Sequence, residues 1–280
     1  MTQPASTTVF VTGGTDVPAQ AHHTPSRPST AWFTTRPETY RQALINSSLV
    51  WLGLMTYWVI ADVLLARFPA PPTGRQIDPE GWGALAIFGV FGLVGAAFAA
   101  HTGFPAAWDA RIPASRRLLL PLLVGVGFGV LAIVIEEVTR SVHILEAVFG
   151  PANVAFPASL LVSTAGAIKY ELMFLLFIVP TLLWLVSNVA LRGRGQTRTF
   201  WVLAALSAAI EPVLIQGVPL FIMANGAISP AAFAAYLAHS YAFNFAAAVS
   251  FRRYGLLAPV LVRLGNYLIW HVLYGNFLFG

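Results

Sequence analysis

The chain has 280 residues, of which 57% are hydrophobic and only 10% are charged, whereas soluble domains carry about 25% charged residues. A mean hydropathy of +0.72 excludes a water-soluble domain, because a chain of this length could not bury so much apolar surface. The sequence contains no cysteine, which excludes disulfides, thiolate catalysis and Cys-ligated metal sites. The net charge of +5 comes from basic residues in short segments between apolar runs. That placement predicts orientation in a lipid bilayer and no binding of nucleic acid.

The N-terminal segment differs in composition from the rest of the chain. Residues 1 to about 44 are rich in Thr, Pro, Ala and Ser and have neither a helical nor a strand period. Such a segment cannot bury enough apolar surface to offset its ordering entropy. The sequence therefore predicts a disordered cytoplasmic tail at 1–44, followed by a transmembrane bundle at 45–280.

Seven apolar runs, separated by Arg, Pro or Gly, follow this tail. They lie at roughly 46–66, 82–101, 116–135, 158–190, 199–223, 231–250 and 256–278. Most have about 20 residues, the length that crosses a hydrocarbon core of about 30 Å. The fourth run is longer than one crossing needs, so either Pro180 kinks it or its first turns lie along the membrane interface. The predicted fold class is all-α, a polytopic transmembrane bundle of about seven helices.

The basic residues predict the orientation of these spans, since cytoplasmic loops collect positive charge. In a seven-span arrangement, eleven of the sixteen basic residues fall on the side of the N-terminus and three on the opposite side. Lys169 and Arg263 fall inside spans. We therefore expect the N-terminus in the cytoplasm and the C-terminus outside.

A small set of ionisable side chains lies inside or at the ends of the spans, where each costs about 2.5–3.5 kcal/mol on insertion scales and so marks a pairing or functional site. The set consists of Asp62, Glu136, Glu137, Lys169, Glu171, Glu211, His239, Arg263 and His271. Arg263, Tyr267 and His271 recur at i, i+4 and i+8, which predicts a polar stripe facing the interior of the bundle. Arg263 cannot lose its proton and must pair, and Glu171 and Glu211 are the available carboxylates.

Several members of this set also have a purely structural interpretation. Asp62 is expected at the membrane interface. Glu136 and Glu137 are interpreted as an acidic interfacial turn that ends the third helix. His271 is either a ligand or proton-transfer residue, or a structural histidine bonded to a neighbouring helix. Considered without its neighbours, His271 is more often a structural histidine. Its place in the polar stripe with Arg263 and Tyr267 favours a functional role.

The most distinctive segment of the C-terminal half is 244–261, which reads NFAAAVSFRRYGLLAPVL. It is similar to the glycine loop that leads into the last catalytic helix of the CPBP group of intramembrane proteases. That group includes the type II CAAX prenyl endopeptidases and the bacterial Abi proteins. The resemblance extends from about 155 to 276, and it implies a helical protein of the bacterial plasma membrane.

Three helices of that family carry the motifs EExxxR, FxxxH and HxxxN or HxxxD, whose glutamate and histidines are thought to activate a water and stabilise an acyl oxyanion. The resemblance places Glu171 on the second glutamate and Glu211 on the first histidine position. It places Arg263 on the second histidine position and Tyr267 on the asparagine. The implied site is a Glu–Arg–Tyr–His arrangement, with Glu171 as the best general base and His271 as the best acid or oxyanion donor.

Two functions remain open at this point. The first is an intramembrane endopeptidase, a hydrolase acting on membrane-anchored or lipidated peptides. The alternative is a non-catalytic binding or assembly subunit, a pseudoenzyme whose cavity holds a lipid, a partner helix or a pigment. The loss of the two motif histidines favours the alternative. The sequence leaves both the cofactor and metal binding undetermined.

Overall fold

The computed structural model describes residues 40–278, and within that range the chain forms eight helices and no strand. The prediction of an all-α transmembrane bundle is confirmed. Most of the predicted tail, residues 1–39, lies outside the described residues. Residues 40–44 are not part of a tail, because they form the first turn of a helix that begins at Tyr40, where the Tyr40 ring lies 4.2 Å from that of His101.

The helices are numbered here in chain order. They are α1 (Tyr40–Arg67), α2 (Trp82–His101), α3 (Ser115–Thr139), α4 (Ser141–Phe149), α5 (Ala158–Ala190), α6 (Gln196–Met223), α7 (Pro230–Tyr254) and α8 (Leu257–Tyr267, continued by Leu268–Leu278). Seven of them coincide with the predicted apolar runs to within six residues at either end. The eighth, α4, has 9 residues and was not predicted, because so short an element gives little periodic signal.

Five helices, α1, α2, α3, α5 and α6, are long and apolar enough to cross a membrane. The outer surface of the bundle is correspondingly apolar: Leu123, Val134, Leu206 and Leu214 are all more than half exposed. A soluble protein rarely exposes large side chains in such numbers. The chain is therefore an integral membrane protein whose surrounding solvent is the lipid bilayer.

Helix α8 lies in the middle of the bundle, where it packs on α3, α5 and α7. Its approach to α3 is unusually close, because glycines face the partner backbone from both sides. A Cβ on Gly125 of α3 would collide with the carbonyl oxygen of Val262, and a Cβ on Gly265 of α8 would collide with that of Leu122. Small residues of this kind let transmembrane helices approach closely. They fix the position of the intervening Arg263 relative to α3.

Helix α5 runs without a break over 33 residues. It does not stop at Pro180. Instead its turns widen to π-helical geometry at Leu172–Ile178 and Trp184–Ala190, on either side of the proline. Proline has no N–H to donate, and its ring crowds the preceding turn. The wider π-helical turns accommodate the missing hydrogen bond and the ring without ending the helix.

Candidate functional site: a buried arginine cluster beneath a cavity

The polar centre of the bundle is the guanidinium of Arg263, on α8. Its Nε donates to Oε1 of Glu171 at 2.6 Å and its Nη2 donates to Oδ1 of Asn244 at 2.7 Å. Its Nη1 donates both to Oε2 of Glu211 at 3.2 Å and to the hydroxyl of Tyr267 at 3.3 Å. The predicted pairing of Arg263 with both carboxylates is confirmed. We call these five residues the arginine cluster.

The arginine cluster draws one carboxylate from α5, one from α6 and an amide from α7. The side chains of Arg263 and Glu171 are 3% and 1% exposed, and that of Glu211 is 10% exposed. Aromatic rings enclose the cation as well, since its Cζ lies 5.0 Å from the ring centres of both Tyr170 and Phe243. Cation–π contacts of this kind are strongest when the charge is desolvated.

The backbone departs from regular α-helix where the cluster residues occur. Glu171 is the last residue before the wide turn of α5, and Tyr267 is the last residue before the wide turns of α8. Glu211 lies inside the wide turn Ile210–Ile215 of α6, beside Pro212. Such π-helical turns are frequent at functional sites, because they reorient a side chain without ending the helix.

A cavity of about 630 Å³ lies on one side of the arginine cluster. Its floor includes Glu211, Arg263 and Tyr267, and its walls come from the C-terminal halves of α1, α3 and α8 and the N-terminal halves of α5 and α7, together with α4 and α6. Aromatic side chains form much of the wall: Trp58, Tyr170, Phe233, Tyr236, Phe243 and Trp270. Glu171 does not border this cavity, but its hydrogen-bond partner Arg263 does.

The loop between α1 and α2 borders the outer part of the cavity and is tied to the bundle by polar contacts. Asp62 of α1 accepts a hydrogen bond from the Glu80 backbone N–H at 3.0 Å, and Lys169 of α5 forms an ion pair with Glu80. The Arg75 backbone N–H donates to the Asn153 carbonyl at 2.8 Å, which joins this loop to the α4–α5 loop. Asp62, expected at the interface, is a buried residue that holds the loop in place.

His271 lines the cavity but does not join the arginine cluster. Its Nδ1 lies 2.8 Å from Oδ1 of Asn153 in the α4–α5 loop, and its ring lies 5.0 Å from that of Tyr267. The polar stripe of Arg263, Tyr267 and His271 thus exists along α8, with the arginine at the floor of the cavity and the histidine nearer its outer loops. This geometry fits the structural alternative for His271, a histidine bonded to a neighbouring segment.

The remaining ionisable residues have local partners. Glu136 accepts the backbone N–H groups of Val142 at 2.9 Å and of His143 at 3.3 Å, so it caps the first turn of α4. Glu137 forms an ion pair with Arg140 at 3.0 Å. The Glu136–Glu137 pair therefore lies at the end of α3, as predicted, and Glu136 also caps the start of α4.

Three contributors to the site were not predicted from the sequence. Asn244 was singled out only as part of the resemblance, yet it holds Nη2 of Arg263. Tyr170 lies under the guanidinium, and its hydroxyl accepts a hydrogen bond from Gln216 at 2.7 Å. The sequence does show Asn244 and Gln216 as polar residues within apolar helices, which marks them as possible site residues. It does not show in which direction their side chains point.

Searches against known protein families, curated proteins and solved structures found no match to the chain. Among residues 40–278, no group of three or more His, Cys, Asp or Glu side chains could hold a metal ion. The fold and the site define an integral membrane protein with a buried ion-paired cluster at the floor of an amphipathic cavity.

Proposed function

We propose that the protein binds an amphipathic molecule in the cavity above the arginine cluster, without transforming it. The observation that carries the proposal is the cavity itself. Its volume of about 630 Å³ falls in the range of small-molecule sites, about 300–1,000 Å³, and it combines apolar walls with a few placed polar groups. The aromatic walls suit an apolar body, and the polar groups of the floor and of the outer part suit a polar head.

The charges around the cavity favour a positively charged head. Five carboxylates border it, from Asp62, Asp78, Glu80, Glu136 and Glu211, against three basic side chains. Lys169 and Arg263 are each paired with one of these carboxylates, Glu80 and Glu211, which leaves three carboxylates against Arg75 alone. The aromatic wall adds to this preference, because ring faces attract ammonium groups. The proposed ligand class is therefore a cationic amphiphile.

The ion pairs argue for binding over hydrolysis. A general base must be free to take a proton from water. In the arginine cluster both carboxylates accept hydrogen bonds from Arg263, at 2.6 and 3.2 Å, so each already has a fixed cationic partner. His271, the expected acid, is hydrogen-bonded to Asn153 and is not a member of the arginine cluster.

Binding can be measured with a dansyl-labelled octylammonium probe on protein in nanodiscs, with dansyl-labelled octanoate as the probe of opposite charge. We expect saturable binding of the ammonium probe and at least tenfold weaker binding of the octanoate probe. Val162→Trp fills the cavity from α5, so it should abolish binding. Leu160→Trp places the same ring on the exposed side of α5 and should leave binding intact. Equal binding to wild type and Val162→Trp would refute the proposal.

An intramembrane endopeptidase is the second candidate. The observation that favours it is the convergence of Glu171, Glu211, Arg263 and Tyr267, the positions to which the resemblance assigns the catalytic motifs. In that case Glu211, which borders the cavity, would take a proton from water as the water adds to a peptide carbonyl, and would return it to the departing amine. Arg263 and Tyr267 would hold the oxyanion.

The enzyme is tested with a membrane-anchored fluorogenic peptide in proteoliposomes. Cleavage that disappears in Glu211→Gln, while the thermal unfolding midpoint is unchanged, would establish it. If the peptide is not cleaved and the ammonium probe binds saturably, the results support the binding function and contradict the endopeptidase.

A further inference from the structure

The arginine cluster contains more negative than positive charge. Glu171 and Glu211 each contribute one carboxylate, whereas Arg263 is the only cation within hydrogen-bonding distance of either among the described residues. The other titratable groups that face it are phenols, Tyr170 and Tyr267, with Tyr236 from α7. A neutral tyrosine cannot balance the second carboxylate. With both glutamates ionised the cluster carries one unbalanced negative charge, which is costly in a low-dielectric interior.

One atom of the cluster marks where this charge lies. Oε1 of Glu171 is bound by Arg263, but Oε2 is fully buried and has no hydrogen-bond partner among the described residues. Buried carboxylate oxygens are nearly always paired, so an unpaired one calls for an explanation. The side chain is 1% exposed, which leaves bulk water no access to that oxygen.

A small void adjoins the same carboxylate. Its volume is about 10 Å³, and its lining includes Glu171, Glu211, Ser207, Asn244 and Arg263. This is room for one water-sized sphere. Its polar lining is rich in oxygen, from two carboxylates, a hydroxyl and an amide, and hard monovalent and divalent cations bind oxygen ligands. The void is too small for a hydrated divalent ion.

We infer that the void beside Glu171 binds one small monovalent cation, either Na⁺ or a proton carried on the carboxyl group or on a water. Either occupant neutralises the second carboxylate and gives Oε2 of Glu171 a partner. Glu211 borders both this void and the large cavity, so it provides the route by which the cation reaches the site. The inference is independent of which molecule the large cavity binds.

The test uses the full chain in zwitterionic nanodiscs at constant ionic strength, with choline chloride replacing NaCl. We expect one of two results for the wild type. Saturable binding of one ²²Na⁺ per chain, with a thermal unfolding midpoint that rises with NaCl, identifies Na⁺. A midpoint that rises from pH 8.5 to 5.5 without any effect of NaCl identifies a proton.

Glu171→Gln removes the unbalanced charge at nearly constant size. It should weaken ²²Na⁺ binding at least tenfold, or remove the corresponding rise in the midpoint with acidification. Glu137→Gln, in a half-exposed carboxylate at the end of α3, is the matched control and should behave as the wild type. If Glu171→Gln does not fold, Glu211→Gln serves the same comparison. A wild type that responds to neither NaCl nor pH, or a response retained in full by both variants, would overturn the inference.

Discussion

Nε of Arg263 lies 2.6 Å from Oε1 of Glu171, although ninety-two residues separate the two in the chain. A second carboxylate, that of Glu211, reaches the same guanidinium from 52 residues away. The arginine is therefore shared by two anions. The stability of the cluster depends on this ratio of one cation to two anions. Loss of the cation leaves two unpaired carboxylates, whereas loss of one anion leaves a balanced pair.

Removal of the cation should be the most damaging single change in the cluster. We expect Arg263→Met to lower the free energy of unfolding by about 3–5 kcal/mol, because it leaves buried carboxylates uncompensated. Glu171→Gln should cost less, since Glu211 still balances Arg263. Combining the two changes should recover part of the loss seen in Arg263→Met. Thermal unfolding in one detergent measures all three. Strictly additive losses would show that the charges do not interact.

The crossing of α3 and α8 should tolerate no side chain at its glycines. Gly265→Ala places a methyl group against the Leu122 backbone, so we expect a loss of stability together with displacement of Arg263. Gly127 lies on the same helix as Gly125, but a Cβ there would meet nothing within 4 Å. Gly127→Ala should therefore stabilise the protein by about 0.5–1 kcal/mol through helix propensity. If both substitutions raise the unfolding midpoint, α3 and α8 do not approach as closely at Gly265 as described.

Asp109 gives the α2–α3 loop a pH dependence. The hydrogen bonds from Arg111, at 2.9 and 2.6 Å, hold the pKa of this carboxyl below its usual range. A depressed folded-state pKa means that the stabilisation is complete above the unfolded value of about 3.9 and is lost as the pH falls through the lower folded value. We expect Asp109→Asn to be less stable than the wild type at pH 7 and the difference to shrink below about pH 4. Unfolding midpoints across this range measure it. A difference that is independent of pH would assign the effect to packing.

The orientation of the bundle remains a prediction. The bias of eleven basic residues against three predicts a cytoplasmic N-terminus and an external C-terminus. In that orientation the α1–α2 loop and the mouth of the cavity face outward. Reporter fusions at both ends measure the side directly. If both ends lie on one side, the number of crossings is even, and the loops after the error are assigned to the wrong side of the membrane.

The contact between Lys169 and Glu80 should control access to the cavity. The chain has no cysteine, so a single thiol can be introduced at Ser163, a buried residue of the cavity wall. We expect a water-soluble maleimide to label Ser163→Cys several-fold faster when Glu80→Gln removes the ion pair. Ser187→Cys is buried outside the cavity and should stay unlabelled in both backgrounds. No change in the rate at Ser163→Cys would show that the loop does not gate the cavity.

The sequence was sufficient to predict seven of the eight described helices and the central pairing. Apolar runs of the right length have few alternatives in lipid, and an arginine such as Arg263 must find an anion there. The sequence could not show that Asn244 points at Arg263, since the direction of a side chain depends on helix rotation. Nor could it reveal α4, whose first turn depends on the side chain of Glu136. It also did not indicate that Glu211, and not Glu171, borders the cavity, because that depends on how the wide turns of α5 and α6 orient the two carboxylates.

The two long helices that are not among the five long and apolar enough to cross a membrane, α7 and α8, are also the last described in the chain. During synthesis α5 and α6 leave the ribosome before them, carrying Glu171 and Glu211. An isolated helix with a central arginine partitions poorly into lipid, but here the counter-charges are already in place when Arg263 emerges. We therefore expect membrane integration of α8 to depend on the earlier insertion of α5 and α6. Replacing Glu171 and Glu211 together should therefore reduce membrane insertion of α8 during synthesis, before the bundle has folded.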